Sequence, residues 1–566
     1  MLIPRFYKVL PAALTLVLLT ACTSSHYRES ADAETYAAIA GKLPLVPGVT
    51  FGFDISAGTG VVDLQGLPVN QSEFAFLDRE AASELGAHIL SLNDALGIAF
   101  RHSKDYQSQK ERLYLQALSL TFDRYRYTPT FAFGASTDYE WDAQDQFVTD
   151  MQGLTGMQSV NTTETLRTRT SLGSRVLLMG GGVLALTLNS NFTRFLTGAL
   201  GEASGSTLLA SFDQPLLRDF GTAVEAETLL QAERDLLYQL RDFTNYRKAF
   251  AVRIASQYYS VLLARETVRN NYSGLLAVNL SLEREQAFQA EGLRTLLQVG
   301  RLEQSALQQD LRWTASITRY QRSLDNFKIL LGLDASASIV LDDNEMSLVM
   351  DTGLSAPLDL NVEQAVELAL QTRLDLYNEL DRVQDSARRV RVAANALAPA
   401  LDLGIAVSVP GAEGNSGTEL DFEDAVYTAG LDLDLPLDNK AERNAYRRSL
   451  IDYDAATRAY RLAVDGVKLD VYDTWRRMSE ARKTYELSLA KVQINERRVE
   501  EAELRAELGL GDIQDTVDSQ DDLTAARTDL VSAIVEHNIA KLEFWRDVGL
   551  LYVDENGQWE EGTDEP

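Results

Sequence analysis

The side chains with most chemical potential in this 566-residue chain are carboxylates gathered behind one bend. Gly509, Leu510 and Gly511 are followed by Asp512, Asp515, Asp518, Asp521 and Asp522, a three- and four-residue recurrence that places several acids on one side of a helix. Read alone, they form the solvated face of a helix that returns from the bend, with Asp512 as its N-cap. Their chemistry is electrostatic rather than catalytic. The four histidines, His26, His88, His102 and His537, show no metal-ligand spacing, and no Cys/His pair exists. Asp432 and Asp434 alternate as polar positions of a strand do. Neither a catalytic residue nor a metal or cofactor site is expected.

Composition argues against a nucleic-acid partner. Asp and Glu number 83 against 53 Lys and Arg, a formal net charge of −30, whereas nucleic-acid phosphates call for a basic face. Cys22 is the single cysteine, so it can close no internal disulfide and complete no multi-cysteine metal site. It ends the tetrad Leu19-Thr20-Ala21-Cys22, behind Arg5, Lys8 and an apolar run from Val9 to Leu19 too short to span a bilayer as a helix. The tetrad resembles the lipobox of bacterial lipoproteins, whose cysteine is acylated. Thr23 follows it rather than the Asp that resembles an inner-membrane retention signal, which favours the outer membrane. No other stretch approaches 18 apolar residues, so if the mature chain crosses a membrane it does so with strands.

The bend at Gly509 belongs to a long helical hairpin. Tyr446, Leu450, Tyr453, Thr457, Tyr460, Val464, Val467, Val471, Thr474, Met478, Ala481 and Tyr485 step by four and three, the heptad spacing of a coiled-coil seam. A helix from Lys440 to Leu508 would run about 100 Å at 1.5 Å per residue. The hairpin is duplicated: Gly292, Leu293, Phe327 and Gly332 match Gly509, Leu510, Phe544 and Gly549 at an offset of 217. A second offset, 270, links Ala95, Ala99, Asp105, Pro129 and Gly134 to Ala365, Ala369, Asp375, Pro399 and Gly404. Each half therefore reads as a helix of about 35 residues stopping before a proline, strands, a long helix, a bend and a return helix. The two shorter helices together match the length of the long one and can pair along it end to end.

Strand segments alternate in polarity. Leu401, Leu403, Ile405, Val407 and Val409 share one face, and Asp402, Gly404, Ala406 and Ser408 the other. Leu431, Leu433 and Leu435 oppose Asp432 and Asp434, while Phe131, Phe133, Tyr139 and Trp141 oppose Gly134, Ser136, Asp138 and Glu140. Strands of about ten residues with one apolar face match a transmembrane barrel with a wet lumen; a soluble sandwich with one buried face shares the pattern. The first half holds an additional hairpin, Thr165–Leu178 and Val183–Phe195 about the turn Gly180-Gly181-Gly182, whose place inside or outside a barrel wall the pattern leaves open.

The order of these parts resembles TolC-like outer membrane efflux proteins, the outer membrane factor lipoproteins of tripartite efflux or type I secretion systems. The resemblance covers about Leu92 to Leu551. It rests on the duplicated helix ending in Thr128-Pro129 and Ala398-Pro399, on the strand-to-helix junctions Gln214-Pro215-Leu216-Leu217 and Leu435-Pro436-Leu437, and on the two bends with their return helices. It implies an α+β membrane protein: a homotrimer whose transmembrane β-barrel is continuous with an α-helical coiled-coil tunnel. Helical tips would dock a periplasmic adaptor beneath an inner-membrane pump, and Cys22 would carry the lipid anchor. Asp515 and Asp518 fall where family members carry paired aspartates at the periplasmic mouth, so three copies would give two acidic gate rings that favour cations. Gly292, Leu293, Arg294, Gly509, Leu510 and Gly511 would be tip and adaptor-contact residues. Gln298 and Gly511 depart from the pattern, where the family often carries an aspartate and sometimes an arginine.

On this reading the chain comprises a lipoprotein signal peptide (1–21), an extended N-terminal segment (22–90), a first repeat (91–333), a linker (334–360), a second repeat (361–551) and an acidic tail (552–566). The competing reading is a lipid-anchored periplasmic coiled-coil scaffold with a soluble β-domain that conducts nothing.

Overall fold

A computed structural model describes residues 23–47, 52–55, 62, 64–148, 157–197, 201–347, 361–412, 419–508 and 513–561. Cys22, the bend residues Gly509, Leu510 and Gly511, and Asp512 lie outside them. The N-terminal segment forms helix α1 (Ser24–Lys42) and a short strand β1 (His88–Leu90). Helices α2 (Leu92–His102) and α3 (Lys104–Tyr125) lead into strands β2 (Thr130–Val148), β3 (Met157–Leu177), β4 (Val183–Phe195) and β5 (Glu202–Pro215). The long helix α4 (Glu227–Ala290) and its return α5 (Leu296–Leu331) follow. After β6 (Ile339–Leu341) the order recurs with two strands fewer: α6 (Val362–Thr372), α7 (Leu374–Asn395), β7 (Ala400–Pro410), β8 (Val426–Asp434), α8 (Lys440–Glu507) and α9 (Ile513–Val548). A terminal hairpin, β9 (Leu551–Val553) and β10 (Trp559–Glu561), ends the described chain.

The repeat is physical down to its caps. Ser91 and Asp94 form a capping box at the start of α2, and Asn361 and Gln364, 270 residues on, form the same box on α6. Instead of one helix of about 35 residues, each half has two, broken at Ser103 and at Arg373, which sit in extended conformation. The break is where the return helix arrives. Helix α5 ends at Gly332 in a left-handed cap, with the Leu333 N–H donating to the Lys328 carbonyl and the Gly332 N–H to Ile329, the Schellman pattern. A Cβ on Gly332 would fall on the His102 carbonyl. The matching joint places Gly549, φ 89°, against Thr372, whose hydroxyl donates to the Val548 carbonyl. Short and return helices thus meet end to end through a glycine that only a residue without Cβ can supply.

The long helices match the heptad reading: α8 has 68 residues and α4 has 64, about 100 Å each at 1.5 Å per residue. Along α8, Val467, Val471, Thr474, Met478 and Ala481 are buried, whereas Tyr453 is exposed.

Two compact units form, and neither follows the repeat boundaries, since each takes segments from both halves. One comprises residues 1–116, 237–380 and 459–566. Its core contains Tyr258, Phe243, Phe250, Phe327 and Phe544, with Ala365, Val366 and Ala369 packed on Val467, Val471 and Phe544. The N-terminal segment lies against it: the Tyr114 hydroxyl donates to Asp32 at 2.5 Å, and Phe53 meets Phe243 edge to face. Parallel strands β1 and β6 pair there.

The other unit, residues 117–236 and 381–458, holds a six-stranded antiparallel sheet in the order β2-β3-β4-β5-β7-β8. The glycine turn joins β3 to β4, with Gly181 at φ 90° and the Leu178 N–H donating to the Gly182 carbonyl at 2.7 Å. The additional hairpin is therefore part of this sheet. Below it, Arg388 binds Glu227 and Asp385, both at 2.9 Å, and Arg234 binds Asp385 at 2.9 Å.

Candidate functional site

The sheet carries a largely apolar face and a polar one, the apolar side being interrupted on β3 to β5 by Thr168, Thr170, Ser190, Ser206 and the Arg194–Glu202 pair. Cross-strand partners share a face, so the register propagates polarity from strand to strand. Phe133 lies opposite Leu172, Leu172 opposite Leu188, Leu188 opposite Leu208, Leu208 opposite Val409, and Phe212 opposite Ile405. Leu403 faces Leu431, and Val407 faces Tyr427. The reverse face presents Asp138, Arg169, Asn189, Thr207, Ser408 and Asp432 among others. Among the described residues both outer strands keep an unpaired edge, β2 on one side and β8 on the other. On the apolar face Phe131 is 75% and Phe133 73% exposed, and Tyr139, Trp141, Tyr427, Leu431 and Leu433 are exposed as well. One chain leaves this face uncovered.

At the first tip the local chemistry explains each residue. Helix α4 closes with Gly292 at φ 77°, the Leu293 N–H donating to Phe288 and the Gly292 N–H to Gln289, a second Schellman cap. Helix α5 opens with a capping box between Thr295 and Gln298. That box accounts for Gln298 where the family pattern favours an aspartate: its amide oxygen accepts from the Thr295 N–H at 3.1 Å. Arg294 turns inward, its Nε 2.6 Å from Glu285, and reaches the Ala506 carbonyl at 3.5 Å. Its guanidinium thus ties the tip together, and the exposed groups beside it are Leu293, Leu296 and Leu297 at 68%, 78% and 70%.

The acids of the second tip divide into two kinds. Asp521 accepts from Gln309 and pairs with Arg312 at 3.2 Å, and Asp522 pairs with Arg498 at 2.7 Å, so both bind helices together. Asp515 and Asp518 are exposed in the first turns of α9, while Thr516, Val517, Ser519 and Gln520 face inward. Asp518 accepts from Gln514 at 2.8 Å. Val517 packs on Val278, Leu302 and Ala306, joining the two tips. Exposed acids at the start of a helix also suit its dipole.

Among the described residues no cluster of His, Cys, Asp or Glu is arranged to hold a metal, and no helix is long and apolar enough to cross a membrane. No protein-family model and no curated protein sequence matches the chain. Solved structures do. The outer membrane protein VceC from Vibrio cholerae is 16% identical with a TM-score of 0.58, covering 81% of this chain and 96% of its own. The Campylobacter jejuni CmeC outer membrane channel is 14% identical at 0.58, covering 92% and 95%. The chain has the TolC-like fold. The open-state Neisseria gonorrhoeae MtrE outer membrane channel, 12% identical at a TM-score of 0.55, covers 89% of this chain and 97% of its own, so the fold likeness extends over nearly the whole of those proteins. CmeC and MtrE are outer membrane channels, and VceC is an outer membrane protein.

One group of residues escaped the sequence. Arg265, 3% exposed, lies 2.8 Å from Glu84 and 2.6 Å from Asp343, and the Tyr320 hydroxyl donates to Glu84 at 2.6 Å. Burial raises the Glu84 carboxyl above its ordinary pKa, with Arg265 pulling the other way. The four partners come from four distant segments, so no local spacing could have announced them.

Proposed function

We propose that the chain is the outer membrane channel of a tripartite efflux or secretion system, working as a homotrimer. The observation that carries this reading is the two-faced sheet with two free edges. Neighbouring strands in it are antiparallel and the strand number is even, so β2 and β8 run in opposite directions. The β8 edge of one copy can therefore pair antiparallel with the β2 edge of the next, and rotation closes a ring without a free edge. In lipid such closure is obligatory, because no water satisfies an open strand edge. The exposed aromatic and aliphatic face then meets the outer membrane, and the polar face lines a wet lumen.

The helices α4, α5, α8 and α9 form the periplasmic duct wall. Its tips hold Asp515 and Asp518 as gate rings at the mouth. Leu293, Leu296 and Leu297, with Gly292 and the Gly509-Leu510-Gly511 bend, form the docking end for a periplasmic adaptor beneath an inner-membrane pump, and Arg294 braces that end from within through Glu285. Cys22 supplies the lipid anchor. The fold shared with VceC, CmeC and MtrE supports the reading. Reconstitution of the detergent-purified protein in planar bilayers tests it: stable single-channel openings are expected, and their absence would favour a non-conducting scaffold.

A further inference from the structure

The two halves of the chain contribute unequally to the sheet. By the 270-residue offset β2 corresponds to β7, each beginning just after the matched prolines Pro129 and Pro399. Strands β5 and β8 correspond as the strands leading into the long helices. Strands β3 and β4 have no counterpart among the described residues of the second half: they are an inserted hairpin. Two features place this insert within the wall. It is hydrogen-bonded on both sides, β3 to β2 and β4 to β5, in continuous register. Between the turn and Leu188 it also keeps the polarity of its neighbours, with Leu184, Leu186 and Leu188 on the apolar face and Thr187, Asn189 and Asn191 on the polar one, while farther along Thr168, Thr170, Ser190 and Arg194 add polar groups to the apolar side. On that polar face, the arginines among the described strand residues, Arg167, Arg169 and Arg175, all lie on β3, and Arg169 pairs with Asp138 of β2 at 2.9 Å. The insert thus supplies the counter-charge to an acidic strand beside it.

We infer that the inserted hairpin widens the barrel, so that the assembled channel has 18 strands and an outer exit broad enough for bulky cargo. The inference rests on the trimeric channel proposed above, with six strands from each of three copies. At about 4.8 Å between strands and about 40° tilt, 18 strands close at a backbone diameter of about 36 Å, whereas four strands per copy would close at about 24 Å. Subtracting about 5 Å of side chain on each side leaves a lumen about 26 Å wide rather than about 14 Å, roughly a threefold difference in cross-section. Size exclusion in this segment would then be far weaker than a four-strand copy imposes. The class of substrate it accommodates includes cargo wider than a single extended chain or a small solute.

Electron cryo-microscopy of the detergent-purified full chain tests this directly. A ring of 18 strands about 36 Å across is expected. A 12-strand ring with residues 157–195 lying outside it would overturn the inference while leaving the channel standing, whereas the absence of any ring would overturn the channel reading itself. In planar bilayers, polyethylene glycols added on the barrel side should enter up to a diameter of about 26 Å. Replacing residues 149–201 by a short turn that joins β2 to β5 should lower that limit to about 14 Å; an unchanged limit in an assembled variant would refute the widening.

Discussion

Arg265→Met tests the buried charge cluster and the direction in which pH acts on it. Methionine retains the apolar stem where the guanidinium now packs near Phe74 and Phe76. Asp343 keeps a partner, since Arg269 lies 2.8 Å from it, so the loss falls on Glu84, 5% exposed and left with the Tyr320 hydroxyl alone. Breaking a buried ion pair by removing one partner costs about 3–5 kcal/mol. The Glu84 carboxyl already has a raised pKa through burial, opposed by Arg265. A raised carboxyl pKa means that the folded state binds the proton more tightly than the unfolded chain. Its stability is therefore greatest at low pH and falls as pH rises through the folded pKa. Without Arg265 that opposition disappears, the pKa rises further, and the fall steepens. Denaturant unfolding of the detergent-purified variant should show the full loss at pH 8 and a much smaller one at pH 5. Glu84→Gln should be milder than Arg265→Met at pH 8, and the double variant should recover much of the loss because the two sites are coupled. Equal losses at both pH values, or a Glu84→Gln variant as unstable as Arg265→Met, would refute the reasoning.

Four other perturbations address the joints, the mouth and the anchor. Gly292 and Gly332 share a left-handed backbone, but a Cβ at Gly292 meets nothing within 4 Å. Gly292→Ala should cost about 1–2 kcal/mol from backbone strain alone, and Gly332→Ala, which would strike the His102 carbonyl, distinctly more by thermal unfolding; equal losses would mean that the joint can relax. Replacing Asp515 and Asp518 together by Asn should lower the cation-over-anion permeability ratio about twofold or more in planar bilayers, and unchanged selectivity would remove them from the mouth. Serine at Leu293, Leu296 and Leu297 should leave conductance intact while abolishing cross-linking of the tips to a periplasmic partner; retained cross-linking would move the docking surface elsewhere. Cys22→Ala should remove the acyl mass from the N-terminus, and a persisting acyl mass would exclude Cys22 as the anchor.

What the sequence disclosed and what it withheld divide by the range of the forces involved. The heptads of α8, the capping residues and the strand alternation are set by neighbours within a few positions, so they could be read from spacing, and a duplication multiplies such local signals. The break at Ser103 and Arg373 could not: the flanking residues carry a continuous helical pattern, and the interruption coincides with the arrival of Gly332 or Gly549 from more than 170 residues away. The five acids behind the bend were indistinguishable by spacing, yet Arg312 and Arg498 claim Asp521 and Asp522 and leave Asp515 and Asp518 exposed. Arg294 shows the reverse case. At an exposed bend it suggested a partner contact, and Glu285, nine residues earlier, turns it inward. The hairpin β3–β4 is the sharpest instance. The glycine turn between two extended segments reads as a hairpin, but a turn fixes only that two strands pair, and membership in a larger sheet depends on edges. Once β4 is bonded to β5, Leu188 stands against Leu208 and joins the apolar side of its neighbours. An insert that obeys the parity of its hosts extends the sheet without disturbing its polarity, and this is how a duplicated fold can change its bore while keeping its helices.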